Sequence, residues 1–230
     1  MNPLNEKKLV GEKAIDYIKD GMVVGLGTGS TVLYTIYKLG ELVENGLSIK
    51  GIPTSKQTEK LANEVGIPLV TFNEVEQIDV AIDGADEVDS DLNLIKGGGG
   101  ALLREKIIAN AANTFIVVAD PDKNVPKLGS FPLPLEVLPF GIELTRKKLI
   151  EIGLIPHLRH VQENPFQTDN GNYIFDCHLP DITNLKELER ELNLIPGVIE
   201  NGLFLGKTDI YITLDRDKNN SIVVRHRNNV

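Results

Sequence analysis

The sequence lacks the features of several protein classes. It contains a single cysteine, Cys177, so no internal disulfide can form, which favours a reducing compartment over secretion. No apolar run approaches the roughly 18 residues that a membrane-spanning helix needs. The N-terminal segment alternates charges and shows no cleavable apolar stretch. We therefore expect a cytoplasmic protein with no membrane partner.

Basic residues are scarce relative to acidic ones. Twenty-four Lys and Arg against 33 Asp and Glu give a formal net charge of −9 at pH 7. Because a negative field repels a polyphosphate, this balance argues against a nucleic-acid partner. A small phosphorylated ligand is still compatible with it, since such a ligand needs only one local group of hydrogen-bond donors.

The sequence does contain an alternation of short apolar runs and segments of helical period. Strands are predicted near residues 22–26, 48–52, 68–71, 78–82, 92–95 and 114–119, with helices over 5–19, 32–42, 55–65 and 102–112. This alternation is typical of an α/β protein with a mainly parallel sheet and helices on both faces, a Rossmann-like arrangement.

The pattern changes after residue 120. Five prolines between Pro121 and Pro139 indicate that this segment is no continuous central strand or helix. Helices over 141–153 and 184–193, and strands near 156–161 and 172–178, follow it. This mixture predicts a smaller α+β domain of ferredoxin-like type at residues 131–205. The main α/β domain is then expected at 1–130 and 206–230.

A first glycine loop, GLGTGST from Gly25 to Thr31, lies between a predicted strand and a predicted helix. Glycines allow a ligand to approach the backbone, and a helix N-terminus offers N–H groups to an anion, so the loop suits a phosphate monoester. The alternative is a tight turn with Ser30 or Thr31 as a helix cap. The spacing matches neither the dinucleotide fingerprint nor a Walker loop, so no nucleotide cofactor is expected.

An acidic segment, Asp83-Gly84-Ala85-Asp86-Glu87, follows the predicted strand over 78–82. Polar residues at the carboxyl end of a parallel strand face the crevice where open α/β sheets bind ligands. The two aspartates could share proton chemistry or hold a divalent cation. An ordinary acidic surface turn is the other interpretation.

A third segment runs from Lys96 through four successive glycines to a helix that carries Glu105 near its start. The glycines are expected where main-chain amides surround a small polar ligand. A glutamate at a helix start is ordinarily a partner of the helix dipole. Beside the glycines and a lysine, however, a role in proton transfer becomes a hypothesis worth testing. Together the segments suggest metal-free proton transfer on a phosphorylated compound.

These three segments resemble the type A ribose-5-phosphate isomerases. Supporting stretches at residues 54–58, 131–137, 168–172 and 195–198 occur in the family's order, so the resemblance covers about residues 5–212. It implies interconversion of D-ribose 5-phosphate and D-ribulose 5-phosphate in the pentose phosphate pathway, without metal or organic cofactor. It also implies a homodimer or homotetramer.

The resemblance also implies roles for individual residues. Glu105 would be the base that moves a proton between C2 and C1 through an enediolate, and Asp83 would assist ring opening. Lys96 and the amides of Gly97, Gly98 and Gly99 would stabilise the enediolate oxygen. The implied substrate site is completed by Thr28, Gly29, Ser30, Thr31, Gly84, Ala85, Asp86 and Lys123, with Lys7 as a further candidate for the phosphate.

Three alternatives remain open at this point. A related sugar-phosphate deaminase or lactonase would be expected to use a histidine, and none of the motifs contains one. A sugar-phosphate sensor without turnover would be expected to carry a basic DNA-binding helix pair. A divalent-metal hydrolase built on Asp83, Asp86 and Asp89 would lose activity in EDTA. The tail over residues 215–230 is more basic and polar than expected of the family and carries no motif.

Overall fold

The computed structural model describes residues 3–179 and 184–227. In this part of the chain the α-helices are α1 (Pro3–Lys13), α2 (Val32–Glu44), α3 (Lys56–Glu64), α4 (Leu102–Ala111), α5 (Ile142–Glu151) and α6 (Leu185–Asn193). The strands are β1 (Val23–Leu26), β2 (Lys50–Pro53), β3 (Ile78–Asp83), β4 (Glu87–Val88), β5 (Leu94–Ile95), β6 (Ala112–Val118), β7 (Leu133–Val137), β8 (Ile155–Leu158), β9 (His160–Val161), β10 (Asn164–Pro165), β11 (Tyr173–His178), β12 (Val198–Asn201), β13 (Leu203–Phe204), β14 (Ile210–Asp215) and β15 (Ser221–His226).

The chain divides into two compact units. The first consists of the residues up to Ala85, Arg104–Asn124 and the residues from Gly206 onward, and the second consists of Asp86–Leu103 and Val125–Leu205. This division differs from the predicted boundaries at 130 and 205 mainly because Asp86–Leu103 belongs to the second unit. Within that segment β4 pairs with β5, and β5 pairs with β13.

The first unit is built on a six-stranded sheet with the order β15-β14-β6-β3-β1-β2. All neighbouring pairs are parallel except β14 and β15, which confirms the mainly parallel sheet. The strand order reverses at β1, because β2 lies on one side of it and β3 on the other. In sheets of this kind the crevice at such a switch point is the usual ligand site. The segments that follow β1 and β3 lie at this point.

The central strands are short apolar runs because they are buried. Val24, Leu26 and Ile82 are fully buried in one hydrophobic cluster, which Ile36 of α2 also joins. Gly25 must be glycine for steric reasons, since a Cβ there would lie 2.5 Å from Cγ2 of Ile108. The prediction of a strand near residues 68–71 was wrong in its extent. A single β-bridge, between Leu69 and Gly51, forms there.

The second unit contains a four-stranded antiparallel sheet with the order β12-β7-β11-β8. With α5 between β7 and β8, and α6 between β11 and β12, this is the predicted ferredoxin-like arrangement. The expectation that prolines exclude a central strand was wrong for Leu133–Val137, which lies between two other strands. Pro134 is tolerated at the second position of β7 because its missing N–H leaves no acceptor unserved. Gly202 donates to the carbonyl of Pro134 at 2.8 Å, and the carbonyl of Gly202 accepts from the amide of Lys96 at 2.9 Å.

The polar tail folds as a hairpin at the edge of the first sheet. β14 and β15 pair antiparallel from Ile210 opposite His226 to Asp215 opposite Ser221. Residues 228–230 of this tail lie outside the described residues. Among the helices described, none is long and apolar enough to cross a membrane.

Candidate active site

The loop after β1 folds against Asp83, the last residue of the neighbouring strand β3. Oδ1 of Asp83 accepts hydrogen bonds from the backbone amides of Thr28 at 3.0 Å and Gly84 at 2.8 Å. The aspartate is only 2% exposed. Gly27 allows this close approach, because a Cβ there would lie 2.3 Å from Oδ1 of Asp83. The first two predicted segments are therefore brought together.

A cluster of hydroxyl groups supports the same loop. Oγ1 of Thr28 lies within hydrogen-bond distance of the hydroxyls of Thr54, Ser55 and Thr58, at 2.7, 2.8 and 3.1 Å. Oγ1 of Thr58 also donates to the carbonyl of Gly27 at 2.8 Å. Ser55 caps α3 by accepting from the amide of Thr58. This cluster connects the segment after β2 to the segment after β1.

The N-terminus of α2 retains its capacity to bind an anion. Thr31 occupies the N-cap position but its side chain makes no capping hydrogen bond, which argues against the simple helix-cap interpretation of this residue. Gly29 adopts a φ of 129°, in the region that favours glycine. Ser30 is exposed and accepts a hydrogen bond from Nζ of Lys7 at 2.9 Å. The lysine therefore brings a positive charge to this loop.

Glu105 lies in the first turn of α4 and is only 4% exposed. A glutamate that merely complemented the helix dipole would be expected at the surface, as Glu143 is in the first turn of α5. Buried carboxylates are rare in proteins without a specific role or partner. The burial of Glu105 therefore favours a specific role or partner over a simple dipole effect, and a functional carboxylate is one such role.

Lys123 follows β6 in a short 3₁₀-helix over Pro121–Lys123 and is half-buried. The side chain of Asp120 caps this turn by accepting from the amide of Asp122 at 3.2 Å. β6 is the neighbour of β3, so Lys123 follows the strand that pairs with the one ending in Asp83. Gly84 and Ala85, which come directly after Asp83, are both half-buried.

An ion-pair network lies beside the two segments that carry Lys7 and Lys123. Arg216 donates to the buried carboxylate of Glu6, with its Nη2 at 2.8 Å from Oε2. It also donates to both carboxylate oxygens of Asp122. Hydrogen bonding to Arg216 lowers the pKa of Glu6 and the pKa of Asp122 below their ordinary values. Arg216 thus connects the residues next to Lys7 and Lys123.

In the second unit Lys96 follows β5 and is only 2% exposed. Its backbone amide donates to the carbonyl of Gly202 at 2.9 Å, and its Nζ lies 5.4 Å from the ring centroid of Phe204. At that distance the ammonium is attracted by the electron-rich face of the ring. The chain thus holds the side chain of Lys96 in a buried position.

The tetraglycine loop makes a tight turn in the same unit. The amide of Gly100 donates to the carbonyl of Gly97 at 2.9 Å, and both residues have positive φ angles. The amide of Gly98 donates to Oδ2 of Asp86 at 2.7 Å. A Cβ on Gly98 would lie 2.6 Å from Oδ1 of that aspartate. Gly98 and Gly99 are exposed, so a ligand can reach this part of the loop.

The acidic residues in the described ranges do not form a metal site. No group of three His, Cys, Asp or Glu side chains among them is arranged to hold an ion. Oδ1 of Asp89 instead accepts from the amides of Asp91 and Asn93 at 2.9 Å, which stabilises its own turn. The rings of His157 and His178 pack edge to face with centroids 5.5 Å apart. These residues therefore have local structural partners.

The comparison with protein families decides the assignment. The family model described as Ribose 5-phosphate isomerase A (phosphoriboisomerase A) matches residues 50–218. The chain belongs to the ribose 5-phosphate isomerase A family. Ribose-5-phosphate isomerase A of Bacillus mycoides is 52% identical over 203 residues, which is 88% of this chain and 92% of that protein. The Listeria monocytogenes enzyme of the same name is 52% identical over 210 residues, or 91% and 94% of the two chains.

Solved isomerase structures share the fold over nearly the whole chain. The Plasmodium falciparum ribose 5-phosphate isomerase superposes with a TM-score of 0.94 at 36% identity and covers 98% of this chain and 100% of its own. A D-ribose-5-phosphate isomerase in complex with phospho-erythronic acid gives a TM-score of 0.93 at 44% identity, over 99% and 100%. The chain is an enzyme that isomerises ribose 5-phosphate, and its substrate is a small sugar phosphate.

Sequence reasoning gave no role to several side chains that support these isomerase motifs. Thr54, Ser55 and Thr58 were noted as a matching stretch, but their contacts with Thr28 arise from the pairing of β1 with β2. Phe204 follows Lys96 by more than a hundred positions and meets it through the pairing of β13 with β5. One local signal was available: Ser55, a residue type common at helix N-caps, stands directly before α3.

Proposed function

We propose that this chain isomerises ribose 5-phosphate by metal-free proton transfer, with Glu105 as the base. Once the sugar ring is open, the Glu105 carboxylate takes the proton from C2. The electron pair of that C–H bond forms the C1–C2 double bond, and the carbonyl oxygen on C1 becomes an oxyanion. The proton on the C2 hydroxyl passes to the oxygen on C1. Glu105 then returns its proton to C1, which leaves a carbonyl at C2.

The observation that carries this proposal is the burial of Glu105 at the head of α4. A base that removes a proton beside a carbonyl works best where water does not compete for it. The developing negative charge also needs donors that are already oriented. Lys96 and the amides of Gly97, Gly98 and Gly99 have the chemistry for that role. The buried Asp83, oriented by two backbone amides, is suited to exchange protons with sugar hydroxyls during ring opening.

The first glycine loop supports a role in binding the 5-phosphate. Gly29, Ser30 and Thr31 precede the helix N-terminus of α2, where backbone N–H groups and the helix dipole favour an anion. Lys7 contacts Ser30, and Lys123 follows β6, which is separated from β1 in the sheet by β3 alone. Two cations and a helix terminus together can balance a phosphate dianion.

The experiment is steady-state isomerase kinetics of Glu105→Gln, with Glu143→Gln as the matched control. Glu143 lies in the first turn of α5 but is exposed. Loss of a general base commonly costs about 10²–10⁴-fold in rate. We expect kcat of Glu105→Gln to fall within that range while substrate binding and melting temperature stay near those of wild type. Activity of Glu105→Gln within about tenfold of wild type would remove it from the role of base.

The oxyanion role of Lys96 has a separate test. A related isomerase binds phospho-erythronic acid, which carries a phosphate and a planar anionic carboxylate. An enediolate is also planar and anionic, so we expect this compound to inhibit the present enzyme competitively. Lys96→Met should weaken its binding about tenfold or more, as expected for loss of a charged hydrogen-bond partner. The exposed Lys207→Met is the control and should leave its binding unchanged.

The cellular state of the enzyme is a further part of the proposal. We propose a cytoplasmic homodimer, with a homotetramer as the second possibility. Large exposed apolar side chains support self-association, since Phe140 is 88% and Leu194 is 74% exposed. Light scattering during size exclusion should give a mass of two or four times 25.3 kDa. A mass of one chain at working concentration would contradict this part.

A further inference from the structure

Arg159 contacts the tetraglycine loop through its side chain. Nη1 of Arg159 donates to the carbonyl of Gly97 at 3.1 Å and to the carbonyl of Gly98 at 3.0 Å. The side chain is only 15% exposed. These contacts engage two successive peptide groups of the segment whose amides are proposed to stabilise the enediolate.

The guanidinium of Arg159 is itself held in place. Its Nε donates to Oδ2 of Asp176 at 2.8 Å and its Nη2 donates to Oδ1, which is the bidentate arrangement that fixes a guanidinium plane. Its Cζ lies 5.6 Å from the ring centroid of Phe166. Phe166 in turn limits the loop, because a Cβ on Gly100 would lie 2.5 Å from its ring. The arginine is therefore a rigid support.

The geometry of the peptide bond links these contacts to the loop amides. In a trans peptide the C=O and the following N–H point in opposite directions. The carbonyl of Gly97 faces Arg159, so the amide of Gly98 points away from it, toward Asp86. The carbonyl of Gly98 also faces Arg159, so the amide of Gly99 points away from the arginine as well. One side chain thus determines the direction of two consecutive N–H groups.

We propose that Arg159 is a positioning residue for the isomerisation. It directs the amide of Gly98 to Asp86, which fixes the loop, and it aims the amide of Gly99 and increases the polarity of that N–H. Positive charge beside a carbonyl draws electron density from the peptide group, so its N–H becomes a stronger donor. Asp176 has the supporting role of fixing the plane of the guanidinium. This inference rests on the proposed function of the loop amides.

The principal test is Arg159→Lys. Lysine keeps the charge but has no planar fork, so it cannot reproduce the contacts to Asp176 and to two carbonyls together. Loss of one oriented oxyanion donor costs about 10²–10³-fold in kcat in other enzymes. A donor that is misaimed rather than lost should cost less, so we expect kcat to fall about 10–100-fold while KM stays within about threefold. The Ki of inorganic phosphate should stay unchanged, because the phosphate loop lies in the first unit.

Asp176→Asn is the second variant and keeps the test informative if Arg159→Lys folds poorly. It leaves the arginine in place but weakens the bidentate pair, so kcat should fall by a smaller factor, about threefold to tenfold. Arg190→Lys is the matched control, because Arg190 pairs with Glu187 on the exposed surface of α6. This control should keep the wild-type kcat.

Two outcomes would overturn the inference. One is a wild-type kcat for folded Arg159→Lys together with a lowered melting temperature. That result would show that Arg159 stabilises the fold and has no effect on catalysis. The other is a rise in KM, as large as the fall expected for kcat, while kcat itself stays unchanged. Glu105→Gln is assayed in parallel to separate this inference from the proposed function. If Glu105→Gln is inactive and Arg159→Lys is fully active, only the role of Arg159 fails.

Discussion

Replacing Gly27 by alanine should damage catalysis by displacing Asp83. The added Cβ would lie 2.3 Å from Oδ1 of Asp83 and 2.5 Å from the carbonyl oxygen of Ile82. Ordinary carbon–oxygen contacts are close to 3.4 Å or longer, so the carboxylate must move by about 1 Å. The same movement stretches the hydrogen bond from the amide of Thr28, which is 3.0 Å long in the structure.

Two magnitudes follow from this displacement. Overpacking of a buried site typically costs about 1–3 kcal/mol, so the free energy of unfolding should fall by that amount. A misplacement of about 1 Å in a catalytic group can cost about 10²-fold in rate. We therefore expect kcat of Gly27→Ala to fall about 100-fold. The loss of stability alone would leave most molecules folded, because small domains are stable by about 5–15 kcal/mol.

The assay is kcat per folded molecule, with thermal unfolding measured on the same preparation. Gly40→Ala is the steric control, because its Cβ would lie 2.6 Å from Cβ of Val65, in a part of the first unit that carries no predicted site residue. It should lose comparable stability and retain kcat. If Gly27→Ala and Gly40→Ala show the same small change in kcat, the reasoning about Asp83 is refuted.

Three further results are expected. Arg216→Met should destabilise the protein at pH 7, because the pKa of Glu6 is lowered in the folded state and its pairing adds stability above the unfolded pKa. This difference should shrink as urea unfolding is measured below the ordinary glutamate pKa of about 4.3, and a constant difference would contradict it. Thr58→Val should lower kcat/KM severalfold by loosening Thr28, which substrate titration can check. Lys123→Met should raise KM for ribose 5-phosphate far more than it lowers kcat, and an unchanged KM would exclude it from binding.

The parallel sheet was predictable because its strands are buried on both faces. Val23–Leu26 contains no polar side chain, Ile78–Asp83 is apolar at four of its six positions, and each run ends at a glycine-rich or acidic segment. Local sequence therefore marks both the strand and the position of the ligand crevice. The burial of Glu105 was not visible locally, since a glutamate at a helix start is ordinarily exposed.

Other features depend on pairing between distant segments. Pro134 can lie inside a sheet because the carbonyl of Gly202, which its missing N–H cannot serve, accepts from the amide of Lys96 instead. The sequence near residue 134 does not reveal this partner. The placement of Asp86–Leu103 in the second unit follows from the pairing of β5 with β13. Arg159 reaches the tetraglycine loop through the same unit, and its sequence neighbours show no glycine or carboxylate motif. Contacts of this kind can be identified only from the folded structure.

The most direct test of the central claim follows hydrogen at C2 of the substrate. Ribose 5-phosphate labelled with deuterium at C2 is incubated in ordinary water with the wild type, with Glu105→Gln and with Glu143→Gln. If Glu105 moves this hydrogen, the wild type and Glu143→Gln release the label or carry it to C1 of the ketose. Glu105→Gln binds the sugar but moves the label about 10²–10⁴-fold more slowly. Release of deuterium from C2 by Glu105→Gln at the wild-type rate would contradict the account.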